Sequence, residues 1–178
     1  MISNNSQSGA LARARSSGIP VYHLSSWTHP DPDRLDREIT RALQKHGVNL
    51  VVLAGYMKKL GMSLLDEFHN RVINIHPALL PAFAGKGMYG IHIHQSVLES
   101  GAKFSGVTVH LANDEYDQGP IVAQELIRVE PDDTPETLAK RVLGMEHRLY
   151  PSVIRWFTED RVRVDGERVR LLDESALS

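Results

Sequence analysis

The sequence predicts an α/β fold: a mostly parallel central sheet with helices on both faces and a C-terminal β-hairpin. Three observations carry that expectation. Short apolar runs alternate along the chain with amphipathic stretches. NLVVLAGY at 49–56 is a near-continuous apolar run, as expected of a parallel strand covered on both faces. RVRVDGERVRLL at 161–172 alternates in strand fashion around Asp-Gly, the signature of a hairpin turn.

Taken in order, MISNN reads as the end of a strand entering a turn, and GALARARSSG as the helix after it. PVYHL at 20–24 is a short strand. Residues 33–46 place Leu35, Ile39, Ala42 and Leu43 at helical spacing after an Asp/Pro-rich start. SLLDEFHN at 63–70 is a short helix with Ser63 as its cap. RVINIH is the next strand, followed by the Gly-rich loop AGKGMYG at 84–90 and a helix over 94–100. SGVTVHLA at 105–112 and PIVAQELIRV at 120–129 are strands around the turn NDEYDQG. Residues 133–157 form a long helical segment with Thr134 as cap and Pro135 at its first position, interrupted at Pro151.

The 178 residues fit a single domain, 1–178. Because its first strand enters a turn at once, with no neighbouring strand before it, that domain is expected to be N-terminally shortened. A formal charge of -2 argues against a nucleic-acid partner held by phosphate contacts. The absence of cysteine excludes disulfides, a thiol nucleophile and zinc–thiolate sites, and suits a cytoplasmic protein. No apolar run reaches membrane-spanning length, and MISNNSQSGA lacks the charged and apolar regions of a signal peptide.

In RVINIHPALLPAF, Asn74 and His76 alternate with Ile73 and Ile75, so they share one side of the strand. Pro77 then ends the ladder. An amide and an imidazole thus emerge together at the carboxyl end of a strand, where ligands of α/β sheets collect. Asp117, in YDQGP, is readable as a turn former or as the carboxylate that orients an imidazole. With it, Asn74 and His76 suggest addition to a carbonyl without a covalent intermediate, since no Ser or Cys stands beside the histidine. His92 and His94, in IHIH, raise a metal site only weakly: they share a face on a strand and diverge on a helix.

NIHPALLPAF, GKGMYGIHIHQSVL, GVTVHLANDEYDQGPIVAQ and MEHRLYP together resemble the phosphoribosylglycinamide formyltransferase family, over about residues 2–156. The resemblance implies a formyltransferase-type, Rossmann-like fold. It also implies transfer of formyl from the cosubstrate 10-formyltetrahydrofolate to the amine of glycinamide ribonucleotide, in purine biosynthesis, without a metal. By this match Asn74, His76 and Asp117 are catalytic. His76 would act as an imidazolium, with Asp117 keeping its pKa high and relaying a proton. Met57, Lys58, Lys59 and Leu60 would line the folate pocket, with Asn74, Asn113 and Asp117 completing it. Glu146 and Pro77 would contact the ribonucleotide, and His110 would stand behind the triad. The partners implied are small molecules, with the protein a monomer or homodimer.

The sequence departs from the family in two places. By the resemblance one N-terminal strand–helix unit is missing, the apolar strand and Gly-rich phosphate loop with which relatives begin, which is expected to leave an apolar flank open. Pro32 stands where many carry a basic residue, Arg34 being the nearest substitute. A formyltetrahydrofolate deformylase, with water as acceptor, and an inactive folate-binding remnant remain alternatives. A methionyl-tRNA formyltransferase would need a further C-terminal domain and a basic surface.

Overall fold

The computed structural model describes residues 1–85 and 87–173. The chain forms two compact units, one of residues 1–49 with 60–69, the other of residues 50–59 with 70 onward.

In the first unit, β1 (Ile2–Ser3) pairs in parallel with β2 (Tyr22–His23) across the helix α1 (Gly9–Ser16). Ser8 Oγ caps α1 by accepting from the Ala10 amide. Helix α2 (Pro32–Lys45) starts at Asp31, whose side chain accepts from the Asp33 and Arg34 amides. Pro32 is its first residue, a position where the missing N–H costs nothing. The apolar positions Leu35, Ile39, Ala42 and Leu43 are only half-buried, while Asp36 and Thr40 are the most buried of the helix.

Asp36 is buried for a reason that the local pattern does not carry. Helix α3 (Met62–Glu67) has Gly61 at its N-cap and no side-chain cap of its own, so the expected role of Ser63 as cap is corrected. Asp36 Oδ2 instead accepts from the Ser63 amide at 2.8 Å, placing a carboxylate from α2 on the positive end of α3. A Cβ at position 61 would lie 2.1 Å from Asp36 Cγ, which is why a glycine stands there.

In the second unit, β3 (Val51–Leu53), β4 (Val72–His76), β5 (Phe104–Leu111) and β6 (Ile121–Arg128) form a four-stranded sheet in that order. β3 and β4 are parallel, and β4–β5–β6 is antiparallel, so this sheet is mixed. Among the described residues, parallel pairing is confined to β1–β2 and β3–β4. β5 and β6 are consecutive strands joined by the turn at 112–120, and a short connection of that kind joins antiparallel neighbours. β3 is an edge strand, and Val52 remains 39% exposed, so the two-faced burial expected over 49–56 holds for Val51 alone.

Helix α4 (Ile91–Glu99) begins three residues earlier than the sequence predicts and takes in all of IHIH. Helix α5 (Pro135–Thr158) has the expected cap at Thr134 but runs through Pro151 without a break. The missing amide removes one helical hydrogen bond, but Leu149, Tyr150, Val153 and Phe157 are buried on both sides of it and hold the helix in place. They pack with Ile73, Val107, Val109 and Leu111 in one apolar cluster that includes Val97 of α4. The hairpin β7 (Val162–Asp165) and β8 (Arg168–Leu171) closes on Gly166–Glu167, with Gly166 at φ 57 as a two-residue turn requires. Among the described residues no helix is long and apolar enough to cross a membrane.

Tyr150 ties α5 to the sheet. Its hydroxyl lies 2.7 Å from the Leu53 carbonyl and 2.9 Å from that of Ile73, one proton shared between two acceptors. Burial pushes the phenol pKa far up, so it remains a donor at all ordinary pH. Tyr150→Phe is expected to lower stability by about 1–3 kcal/mol, the cost of leaving buried carbonyls without their donor. Urea unfolding of the two proteins measures it.

Candidate active site

The register of β4 on β5 sets Asn74 opposite His110 and His76 opposite Thr108. With the strand period of two, these four side chains share the face of the sheet opposite Ile73, Val107, Val109 and Leu111. His76, Thr108 and His110 are buried, and Asn74 is half-buried. The pairing of β5 with β6 shifts register between Val109 and His110, an irregularity common beside functional sites.

Asp117 reaches this face from the 112–120 turn. Its carboxylate Oδ2 accepts from the Gly85 amide at 3.2 Å, while Oδ1 lies 3.6 Å from both His76 Nδ1 and His110 Nε2. At that distance it attracts charge without forming a hydrogen bond. The turn is held shut where the Leu111 amide donates to the Pro120 carbonyl at 2.8 Å. Gly119 allows the approach, since a Cβ there would lie 1.9 Å from the Leu111 carbonyl oxygen. Asp117 itself sits at φ 57, a conformation rare for a non-glycine residue.

His76 Nε2 lies 2.9 Å from the Phe83 carbonyl, which only accepts, so Nε2 carries a proton and Nδ1 faces Asp117. The loop that brings Phe83 there is anchored by Thr108. The Thr108 hydroxyl donates to the Ala78 carbonyl at 2.7 Å and accepts from the Leu80 amide at 3.0 Å and from Gln124 Nε2 at 2.9 Å.

Sequence reasoning places Asn74, His76, Asp117 and His110 together, and the structure brings them together. The sequence does not reveal Thr108, Gln124 or the Phe83 carbonyl. Thr108, two residues before His110 in an alternating strand, was open to discovery by period alone; the carbonyl was not. Met57, Lys58 and Lys59 leave the carboxyl end of β3 exposed, and Leu60 is half-buried. Pro77 is half-buried directly after His76. Asn113 serves its own turn, accepting from the Glu115 amide at 3.0 Å. Glu146 is half-buried on α5, where burial raises its carboxyl pKa against the opposing pull of His147. Within IHIH, the helix sends His94 into the interior and leaves His92 exposed.

One electrostatic expectation is corrected. Burial lowers the His76 pKa below its ordinary value, and neither Asp117 nor the Phe83 carbonyl, which both raise it, offsets this. His76 is therefore held toward the neutral form. Asp117 shows the reverse balance: burial works to raise its pKa, but His110, His76 and the Gly85 amide together carry it below the usual carboxylate value. The site sets an anionic carboxylate against a His76 imidazole that burial holds toward the neutral form.

Burial lowers the His94 pKa too, and the nearby His76 lowers it further. An unfolded chain takes up protons at these histidines near 6.5, while the folded chain takes them up only at lower pH. Between those values the unfolded state binds more protons, so stability falls as pH falls; above them neither state is charged and nothing changes. The unfolding free energy is expected to decline on acidification below about pH 6.5, with a limiting slope of about 1.4 kcal/mol per pH unit for each histidine. His94→Leu is expected to flatten that slope, as read by urea denaturation at a series of pH values.

Residues 1–154 match the family described as Formyl transferase. Over 173 residues the chain is 47% identical to the chloroplastic phosphoribosylglycinamide formyltransferase of Arabidopsis thaliana, covering 97% of this chain and 59% of that protein. Over 176 residues it is 33% identical to the phosphoribosylglycinamide formyltransferase of Escherichia coli strain K12, covering 95% of this chain and 81% of that one. The structure matches glycinamide ribonucleotide transformylase 1 from Symbiobacterium toebii with a TM-score of 0.88 at 41% identity, over 97% of this chain and 79% of the other. Against two chloroplastic relatives, the chain spans 59% and 54% of their length. The fold, the strand-end cluster and a sequence match over most of its length agree: the chain belongs to the formyl transferase family.

Proposed function

We propose that this chain transfers a formyl group from 10-formyltetrahydrofolate to the amine of glycinamide ribonucleotide, a step of purine biosynthesis carried out in the cytoplasm. The observation that carries the reading is the convergence of Asn74, His76 and Asp117 on one buried face, in a member of this family. No Ser or Cys stands in that group, so direct attack by the substrate amine fits it better than an acyl-enzyme.

The amine nitrogen adds to the formyl carbon, and the carbonyl electron pair moves onto oxygen. Asn74 has an amide N–H for that oxyanion, and His76 has Nε2–H in either protonation state, because the tautomer is fixed by Phe83. A tetrahedral oxyanion is a stronger acceptor than the Phe83 carbonyl and takes over that hydrogen bond. As negative charge forms, the proton lost by the amine is relayed past Asp117, and His76 Nδ1 can take one up against that carboxylate. Collapse re-forms the carbonyl, breaks the bond from carbon to the folate nitrogen and leaves the proton on that nitrogen. Met57, Lys58 and Lys59 are assigned to the folate, with the 113–117 backbone beside it. Glu146, a half-buried carboxylate whose pKa burial has raised, is assigned to the ribose diol, whose hydroxyls can donate to it.

Assay of the purified chain with both substrates tests this reading: formylated amine and tetrahydrofolate should appear together. Formate released without the amine would favour a hydrolase, and neither product would favour a binding role. Asp117→Asn removes the charge that raises the His76 pKa, so that pKa falls further. Formyl transfer is then expected to drop by roughly 100- to 10,000-fold, the usual cost of lost acid–base assistance. Binding of a folate analogue, measured by calorimetry, should change by far less; transfer that survives intact removes Asp117 from the mechanism.

A further inference from the structure

We infer that His110 is a positioning residue that fixes which way the Asn74 carboxamide points. Its kinetic consequences rest on the formyl-transfer reading; its geometry does not. A carboxamide has a donor and an acceptor end of nearly the same shape, and only its partner decides between them. His110 stands directly opposite Asn74 across the β4–β5 ladder. Its Nδ1 lies 2.9 Å from the Leu111 carbonyl. A carbonyl cannot donate, so Nδ1 carries the proton, and the Nδ1–H tautomer presents a lone pair at Nε2. Asn74 Nδ2 lies 3.1 Å from that lone pair and donates to it.

The reversed amide would set the Asn74 oxygen against the same lone pair, which is repulsive. Among the described residues Asn74's side chain makes no other hydrogen bond. One N–H is thereby committed to His110, and the second is left for an anion on a side that cannot exchange with the oxygen. Asp117 Oδ1, 3.6 Å from His110 Nε2, favours the competing state. A proton on Nε2 would be attracted by that carboxylate and would force Asn74 to reverse. His110 therefore acts through its tautomer as well as its position, and an aromatic ring of equal bulk without an acceptor would not replace it.

The groups facing the ring set the tests. Nitrogen NMR of the wild-type chain is expected to show His110 with Nδ1 protonated and Nε2 bare; the opposite tautomer overturns the inference whatever the chain's activity. His110→Ala is expected to lower kcat by about 10- to 100-fold, somewhat below the cost of deleting an oxyanion donor outright. KM for either substrate should move less than about twofold. His110→Gln, whose side-chain oxygen can accept in place of Nε2, should recover most of kcat. In an Asn74→Ala background, His110→Ala should cost less than about twofold more, because there is no amide left to orient. Full additivity of the two losses, or no recovery with Gln, would show that His110 only supports the fold. If His110→Ala does not fold, the Gln variant and the tautomer decide. If the wild-type chain forms no formylated amine, the proposed function fails while the tautomer still tests the positioning.

Discussion

Asn74 and His76 of β4 meet His110 and Thr108 of β5 because two antiparallel strands pair at one register and no other. A slip of β4 by one residue would send Asn74 and His76 into the apolar cluster, and a slip of β5 would send in Thr108 and His110, exposing Ile73 or Val107, Val109 and Leu111 in their place. Burial of those apolar side chains against α5 therefore holds the polar face in position as well. The site needs no separate scaffold; it is the other side of the core.

That placement has an electrostatic consequence. A group on the back of a core is poorly solvated, and desolvation is the largest influence on both His76 and Asp117. It acts oppositely on the two, disfavouring charge on each, and the outcomes differ because their neighbours differ. Asp117 gathers two imidazoles and a backbone N–H, enough to remain anionic. His76 has one carboxylate at 3.6 Å and a carbonyl, and these do not suffice. A resting carboxylate beside a neutral imidazole is ready to receive a proton, and in the proposed reaction an oxyanion formed next to the ring would favour charge on it.

Much of this was readable from the sequence where a local period governs. The alternation in RVINIH places Asn74 and His76 on one face, the family resemblance brings His110 beside them, and Thr134 with Pro135 marks the start of α5. The reading failed where the deciding contact is distant in sequence. Ser63 is a plausible cap by its position, but the charge on that helix end comes from Asp36, 27 residues away. Pro151 looks like a break, and burial on both sides keeps the helix whole. Asp117 invites the expectation of a raised His76 pKa, because a carboxylate neighbour is visible in a sequence and the depth of burial is not.

Thr108 shows why a polar residue belongs among these buried neighbours. Valine would match its shape, but its hydroxyl binds Ala78, Leu80 and Gln124 at once. Those bonds fix the start of the loop that carries Phe83 to His76, and Gly106 lets the same loop lie close, since a Cβ there would stand 2.6 Å from Leu79 Cδ2. On the other side, Gly119 lets the Asp117 turn fold tightly against Leu111. The nitrogens of His76 thus face groups delivered by loops, the Phe83 carbonyl and the Asp117 carboxylate, while those of His110 face groups of the strands, the Leu111 carbonyl and the Asn74 amide. The tautomers of His76 and His110 are set by Phe83 and Leu111, two backbone carbonyls whose positions depend on these close approaches. Proton placement, the most chemical feature of the site, is in this way a consequence of backbone packing.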